Sequence, residues 1–305
     1  MAQFVRSLST SRTEIIVPTL AEARRGSQLM RAIKSILQDG GRALIVVNGS
    51  RYSPELKDDL NRLPNARVVS IAEPGLPNAI HIGRKAVESD YFGFLDDDDY
   101  LLPGSISLRE SFLDGNPKTD VVIANGLREE WGNKPQLFSS HDALEAIRRD
   151  PLSALLKANW MTPCGALYRD ATVSSDVFHQ LTKYAEWTDV ASRLIDNFTF
   201  DLLFDNTFVQ SDTPGSLSKH TSQATHILKL HEKMGIKIKT AAQRSLWNDR
   251  ISSLHHQIAE DELAANRRGQ AWHHHLRSLL HAPMIGIPRY LAYTRKFAHW
   301  REDSQ

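Results

Sequence analysis

The sequence predicts an α/β protein, with a mostly parallel sheet flanked by helices and a helical C-terminal region after it. Three observations predict this. Over about the first 125 residues, short apolar runs rich in β-branched residues alternate with segments whose apolar residues recur at helical spacing. The alternation repeats every ~25–30 residues, which suits a strand, a crossover helix and their loops. From about residue 223 the strand signal stops, and the chain becomes helical, basic and rich in histidine.

Each element follows from its residues. "EIIVPT" at 14–19 is a buried strand ending near a proline. "SQLMRAIKSILQ" then places Leu29, Ile33, Ile36 and Leu37 on one helix face. "ALIVVNGS" is a second strand that turns at Asn48-Gly49-Ser50. "SPELKDDLNRL" is a helix opened by a Ser cap with an acid in its first turn. "ARVVSIA", "PNAIHIGRKAVES" and "YFGFL" give a third strand, a third helix and a fourth strand; "DVVIAN" at 120–125 follows one further helix. Residues 140–156 have a helical pattern. "GALYR" and "FTFDLLF" are strands, with "YAEWTDVASRLI" a helix between them. The loop-like "SDTPGSLSKHTS" sets a boundary near 215–222, dividing a domain at 1–220 from a helical extension at 221–305.

The bulk composition excludes several classes. The chain has 305 residues, 41% hydrophobic and 24% charged, with a net charge of +1, so whole-chain electrostatics give no reason to expect a nucleic-acid partner. A lone cysteine, Cys164, rules out an internal disulfide framework and Cys-rich zinc sites. The first residues lack an apolar signal region, and no window approaches ~18 continuous apolar residues. The expected location is cytoplasmic, with peripheral contact to the inner membrane surface left open.

The chemistry concentrates in "YFGFLDDDDYLLPG", where an apolar strand runs into Asp96, Asp97, Asp98 and Asp99. Two unit charges about 4 Å apart repel by roughly 4 kcal/mol at an effective dielectric near 20. Four carboxylates at a strand end therefore call for water, a cation or a ligand. An Asp-x-Asp pair there can hold a hard divalent ion, which in turn can bridge diphosphate oxygens. In open parallel sheets, ligands sit at this carboxyl edge. Other acidic motifs fit less well. An EF-hand loop begun at Asp99 would put Leu101 and Pro103 at ligand places. A haloacid dehalogenase phosphatase would not have Tyr100 directly after the motif. Prenyl synthase motifs lie on helices and come in pairs.

The stretch "GLPNAIHIGRKAVESDYFGFLDDDDYLLPGSI" at 75–106 resembles the helix, strand and DxD segment of family 2 glycosyltransferases, and "IIVPT", "LMRAIKSILQ" and "LIVVNGS" are similar to that family's first strands and helix. The resemblance spans roughly residues 12–220. It implies the GT-A fold, with a Rossmann-like sheet, and a nucleotide-sugar donor. It also implies Mn2+ or Mg2+ and inverting transfer to an acceptor hydroxyl, in polysaccharide or glycoconjugate synthesis.

Carried over by position, the resemblance puts Pro18, Thr19 and Asn48 at the donor, with Asn48 standing where the family usually has Asp. Ile80 and His81 replace a common Arg-Asn pair, so Arg84 is the substitute donor contact. Asp96 and Asp98 become the metal pair, with Asp97 a spacer beside the donor and Asp99 a supporting acid. His220 is a further candidate for the metal. "KYAEWTDVASRL" resembles the family's acidic helix start, with Trp187 in place of the second acid. Glu186 or Asp189, at i and i+3, then supplies the catalytic base. The same acids with Arg193 would also suit an exposed ion-pair row. Trp160 and Trp187 are the acceptor candidates, and Cys164 is read as core.

Three matters stay open at this stage. The basic, aromatic C-terminal segment fits an anionic membrane surface bearing a lipid-linked acceptor, or packing on the catalytic domain or a second subunit. His273, His274 and His275 diverge on a helix and are read as a solvated face. A non-catalytic sugar- or nucleotide-binding protein on the same fold is the alternative from another class. A sugar-phosphate nucleotidyltransferase is the alternative enzyme, although "PTLAEARRGSQ" has one glycine where a Gly-rich loop is wanted.

Overall fold

A computed structural model of the protein describes residues 11–130, 133–212, 223–281, 288 and 291–292. The chain divides into two compact units that interleave in sequence. The first holds the described residues up to Arg149, then Trp160–Leu181, then those from Arg193 to residue 212. The second holds Asp150–Asn159, Thr182–Ser192 and the described residues from 223 onward.

The first unit is the sheet. β1 (Thr13–Thr19) lies between β2 (Arg42–Asn48) and β4 (Tyr91–Phe94), with β3 (Ala66–Ile71) beyond β2, all parallel. The connecting helices are α1 (Gly26–Gln38), α2 (Pro54–Asn61) and α3 (Leu76–Lys85). Burial is almost continuous along β1, β2 and β4, as expected for parallel strands covered on both faces. Ser53 caps α2 by accepting from Leu56 N at 3.2 Å. Gly83 lets α3 press onto the sheet, since a Cβ there would lie 2.5 Å from Ile16 Cγ2.

The rest of the sheet is mixed. β5 (Tyr100–Leu101), α4 (Ser105–Gly115), β6 (Val121–Glu130), β7 (Gln136–Leu137), α5 (His141–Arg149), β8 (Ala166–Arg169) and β9 (Phe200–Asp212) follow in chain order. Among the described residues one nine-stranded sheet runs β3-β2-β1-β4-β8-β6-β9-β5, with β7 on β6. β8 is antiparallel to both β4 and β6, and β5 to β9. β5 and β7 were not expected, because two residues carry no readable period. β6 and β9 run further than the apolar patterns that announce them.

The expected helix over 140–156 is two helices. Pro151 lacks an N–H, so it ends α5 and starts α6 (Pro151–Lys157), and Asp150 caps the new helix from Ser153 N at 2.9 Å. This break is also where the chain changes unit. The 1–220/221–305 division therefore differs from the structure: α6 and residues 182–192 belong with the helical unit. Within that unit, Gln243 donates to both oxygens of Asp150 at 3.2 Å, and Lys237 Nζ to Ser192 O at 2.6 Å. The expected boundary segment itself lies mostly outside the described residues.

The second unit holds α6, the start of α7 (Glu186–Asn197), α8 (Gln223–Met234), α9 (Ala241–Ala264) and α10 (Arg268–His281). Ala224, Leu228, Ile251, Leu254 and Ile258 form its core. The His273–His275 run is not a solvated face. His275 is buried, His274 Nδ1 lies 2.9 Å from His255 Nδ1, and only His273 is fully exposed. The α9 residues His255 and His256 oppose α10, which imidazoles can pack against while neutral. About half of the basic, aromatic C-terminal segment, mainly beyond residue 281, lies outside the described residues. Among the described residues no helix is long and apolar enough to cross a membrane.

Candidate active site

The parallel register brings three strand ends to one edge. Ile16 pairs with Phe94 and Thr19 with Val47, so the residues after Phe94 emerge beside the end of β1, with Asn48 one strand further along the same edge. There the four aspartates form the four corners of one β-turn, closed by Asp99 N donating to Asp96 O at 3.1 Å. Their burial alternates: Asp97 and Asp99 are buried, Asp96 and Asp98 half-buried.

Each buried carboxylate has its own partners. Thr19 Oγ1 donates to Asp97 Oδ2 at 2.6 Å, and Arg25 Nη2 to Asp97 Oδ1. Burial pushes the Asp97 carboxyl up, and Arg25 opposes that shift. Asp97 is thus a tie between the β1 end and the loop before α1, rather than a spacer. Asp99 Oδ1 accepts from Ser211 N at 2.8 Å and Oδ2 lies 3.5 Å from Cys164 Sγ. Burial, followed by the charge of Asp98, pushes Asp99 up to about 7.

Two arginines complete the cluster. Arg25 Nη2 also lies 3.1 Å from Asp98 Oδ2. Arg31, stacked 4.4 Å over the Tyr100 ring, donates to Asp98 O at 2.7 Å and Ser211 Oγ at 3.0 Å. Sequence reasoning did not assign either one. The adjacent Arg24-Arg25 pair after the first strand was the available signal for Arg25; Arg31 had none.

Among the described residues no group of three or more His, Cys, Asp or Glu side chains is placed to hold a metal ion. Asp96 and Asp98 still suit a hard cation of the Mg2+ type, which binds through one or two carboxylates and takes its other oxygens from substrate phosphates and water. His220, the other candidate, lies outside the described residues.

The remaining donor candidates separate. Pro18 is buried within β1 beside Val46, and Asn48 Oδ1 accepts from Gly75 N at 2.9 Å, which ties the β3–α3 loop to the end of β2. Arg84 lies at the opposite edge of the sheet. Its guanidinium pairs with Asp170 at 2.8 Å, donates to Val173 O at 2.6 Å and stacks 4.0 Å from the Phe92 ring. A helix returning between parallel strands ends at their starts, so the C-terminal residues of α3 point away from the aspartate edge. Arg84 is therefore structural. His81, beside it on α3, faces Ser175 O at 3.3 Å and the His179 ring at 4.8 Å.

The acidic helix start belongs to the helical unit. Glu186 opens α7 and is buried, with Oε1 accepting from Tyr184 N at 3.1 Å. Tyr184 adopts φ +64°, a left-handed turn that aims this N–H at the carboxylate. Burial pushes the Glu186 carboxyl up. Asp189 Oδ2 accepts from both Thr182 N at 2.9 Å and Thr182 Oγ1 at 2.8 Å, pinning the loop before α7. Arg193 donates to Val177 O at 3.0 Å and His179 O at 2.8 Å. Trp187 is half-buried next to Glu186. Trp160 is buried and stacks on Phe200 with ring centroids 5.7 Å apart, so packing accounts for it.

A mixed α/β sheet with an Asp-rich turn at the carboxyl ends of its parallel strands is the architecture of GT-A glycosyltransferases. The glycosyl transferase family 2 signature matches residues 14–173, more than half of the chain, and the protein belongs to that family. It is a glycosyltransferase. Solved structures agree on the fold. Residues 1–349 of Staphylococcus aureus TarS superpose with a TM-score of 0.62 at 12% identity, over 90% of this chain and 82% of that one. The same TarS region in complex with UDP-GlcNAc gives 0.55 at 12% identity, over 88% and 91%. Its complex with UDP gives 0.57 at 11% identity, over 92% of each chain. No curated protein matches the sequence.

Proposed function

We propose that this glycosyltransferase moves a sugar from a nucleotide-sugar donor to an acceptor hydroxyl with inversion, assisted by a divalent cation. The observation that carries the reading is the Asp96–Asp99 turn, which presents Asp96 and Asp98 at the sheet edge where β1 ends in Thr19 and β2 in Asn48. The TarS complexes with UDP and UDP-GlcNAc support a nucleotide-sugar donor for this chain. Asp96 and Asp98 would hold Mn2+ or Mg2+, which supplies charge neutralisation of the departing diphosphate. Asn48 and Pro18 lie where the nucleoside would rest, and Thr19 with Asp97 fixes the turn.

In the reaction the acceptor oxygen bonds to the anomeric carbon from the face opposite the diphosphate. The bond from that carbon to the diphosphate oxygen breaks, and the acceptor proton passes to a carboxylate. We assign that carboxylate to Glu186. Burial raises its proton affinity, which suits a general base, and it accepts a hydrogen bond from Tyr184 N, where Asp189 Oδ2 accepts two from Thr182. Trp187 is the proposed acceptor contact, and a glycan or lipid-linked acceptor in polysaccharide or glycoconjugate synthesis fits this chemistry.

A panel of UDP-, GDP-, dTDP- and CMP-sugars with Mn2+ tests the reading by nucleotide release. One donor should turn over, and Glu186→Gln should lower kcat by about 10²-fold or more while leaving donor binding intact. No turnover with any donor, combined with retained nucleotide binding, would instead identify a non-catalytic binding protein.

A further inference from the structure

The aspartate turn already has a cation of its own. Arg25, the residue before α1, lays one guanidinium nitrogen against both Asp97 Oδ1 and Asp98 Oδ2, and Asp98 is one of the two carboxylates proposed above to hold a divalent ion. The fit is incomplete. Arg25 Nε is buried, yet it has no hydrogen-bond partner among the described residues. A guanidinium has five N–H donors in a planar fork, and a buried one without an acceptor is a cost that a bound ligand can relieve. Phosphate oxygens match that fork in pairs. Arg25 is also half-buried rather than sealed, with 26% of its side chain exposed.

We propose that Arg25 is the resident counter-ion of the aspartate turn and an exchangeable one. It neutralises Asp98 in the empty protein, gives that carboxylate up to the divalent cation, and turns its free donors to the diphosphate of the donor. Asp97, held also by Thr19, is the pivot that keeps the guanidinium nearby throughout the exchange. The second half of this sequence rests on the donor reading above. The first half needs only the turn and a cation.

Two titrations test it. Mn2+ alone, with no nucleotide, should bind Arg25→Gln on the order of tenfold more tightly than the unaltered protein, because a positive charge next to the ligand has gone. Arg25→Lys, which keeps the charge, should stay close to the unaltered protein. Inorganic pyrophosphate, added with saturating Mn2+, should bind Arg25→Gln on the order of tenfold more weakly. Mn2+ affinity that is unchanged or lower in Arg25→Gln overturns the proposal. If Mn2+ binds more tightly but pyrophosphate binds neither protein, the counter-ion role stands, and the hand-over falls with the donor reading. A second measurement needs no variant. The Arg25 Nε–H resonance should shift when Mg2+ and pyrophosphate are added together, and an unmoved resonance contradicts the exchange.

Discussion

At the scale of single residues, the four aspartates divide by what they hold rather than by exposure, the Asp97 and Asp98 side chains being 11% and 13% exposed. Asp97 ties Thr19 and Arg25, and Asp99 ties Ser211 N, so both are built into the fold. The Asp-x-Asp spacing was legible in the sequence. The structural weight of Asp97 was not, because its partners Thr19 and Arg25 lie 78 and 72 residues away. Asp97→Ala should therefore lower the melting temperature, by about 1–3 kcal/mol in stability, since it removes the acceptor of the Thr19 hydroxyl and one of the two carboxylates at Arg25. Asp98→Ala should leave melting nearly unchanged and abolish Mn2+-dependent turnover. Differential scanning calorimetry beside a donor-hydrolysis assay checks both; equal thermal losses would contradict the division. Arg84 shows the opposite limit. Its residue type suited a phosphate contact, but the direction of α3 places it at the wrong edge, and position in the alignment alone does not report edge.

At the scale of elements, strong apolar runs were the legible part. β1, β2, β3 and β4 with their helices follow directly from pattern, whereas β5 and β7 were too short to read. The break between α5 and α6 was present in the sequence as Asp150-Pro151, and it was passed over because the apolar spacing continues across it. Asp150→Ala should cost about 1 kcal/mol through loss of the α6 cap, with a further loss from the Gln243 bonds, measured by chemical denaturation. Gly83→Ala should cost about 1–3 kcal/mol by forcing α3 off the sheet. The helical unit has a pH signature. Burial first, then the Arg250 charge, lowers His231 on α8 from 6.5 to about 4. Between those values the unfolded chain takes up a proton that the folded one refuses. The contribution is complete above pH 6.5 and is lost as pH falls towards 4, by up to roughly 3 kcal/mol. Melting temperature should fall across that window, and His231→Asn should reduce the slope, the rest coming from His255, which burial also lowers to about 4. An unaltered slope would place the titration elsewhere.

At the scale of the whole molecule, family membership and an Asp-rich turn at the sheet edge make the same case by different routes. The interleaving of the two units was not legible, because it depends on α6 packing with α9, a contact between segments far apart in sequence. The candidate residues accordingly belong to different units: the aspartate cluster to the sheet unit, and Glu186, Trp187 and Asp189 to the helical unit. The aspartate edge is proposed to bind a nucleoside diphosphate together with a divalent cation. Isothermal titration of UDP, GDP and dTDP, with and without Mn2+, into the unaltered protein and Asp98→Ala tests this binding. One nucleotide should bind in the presence of Mn2+, with binding lost on chelation and in Asp98→Ala. Binding that ignores both Mn2+ and the Asp98 substitution would contradict the account.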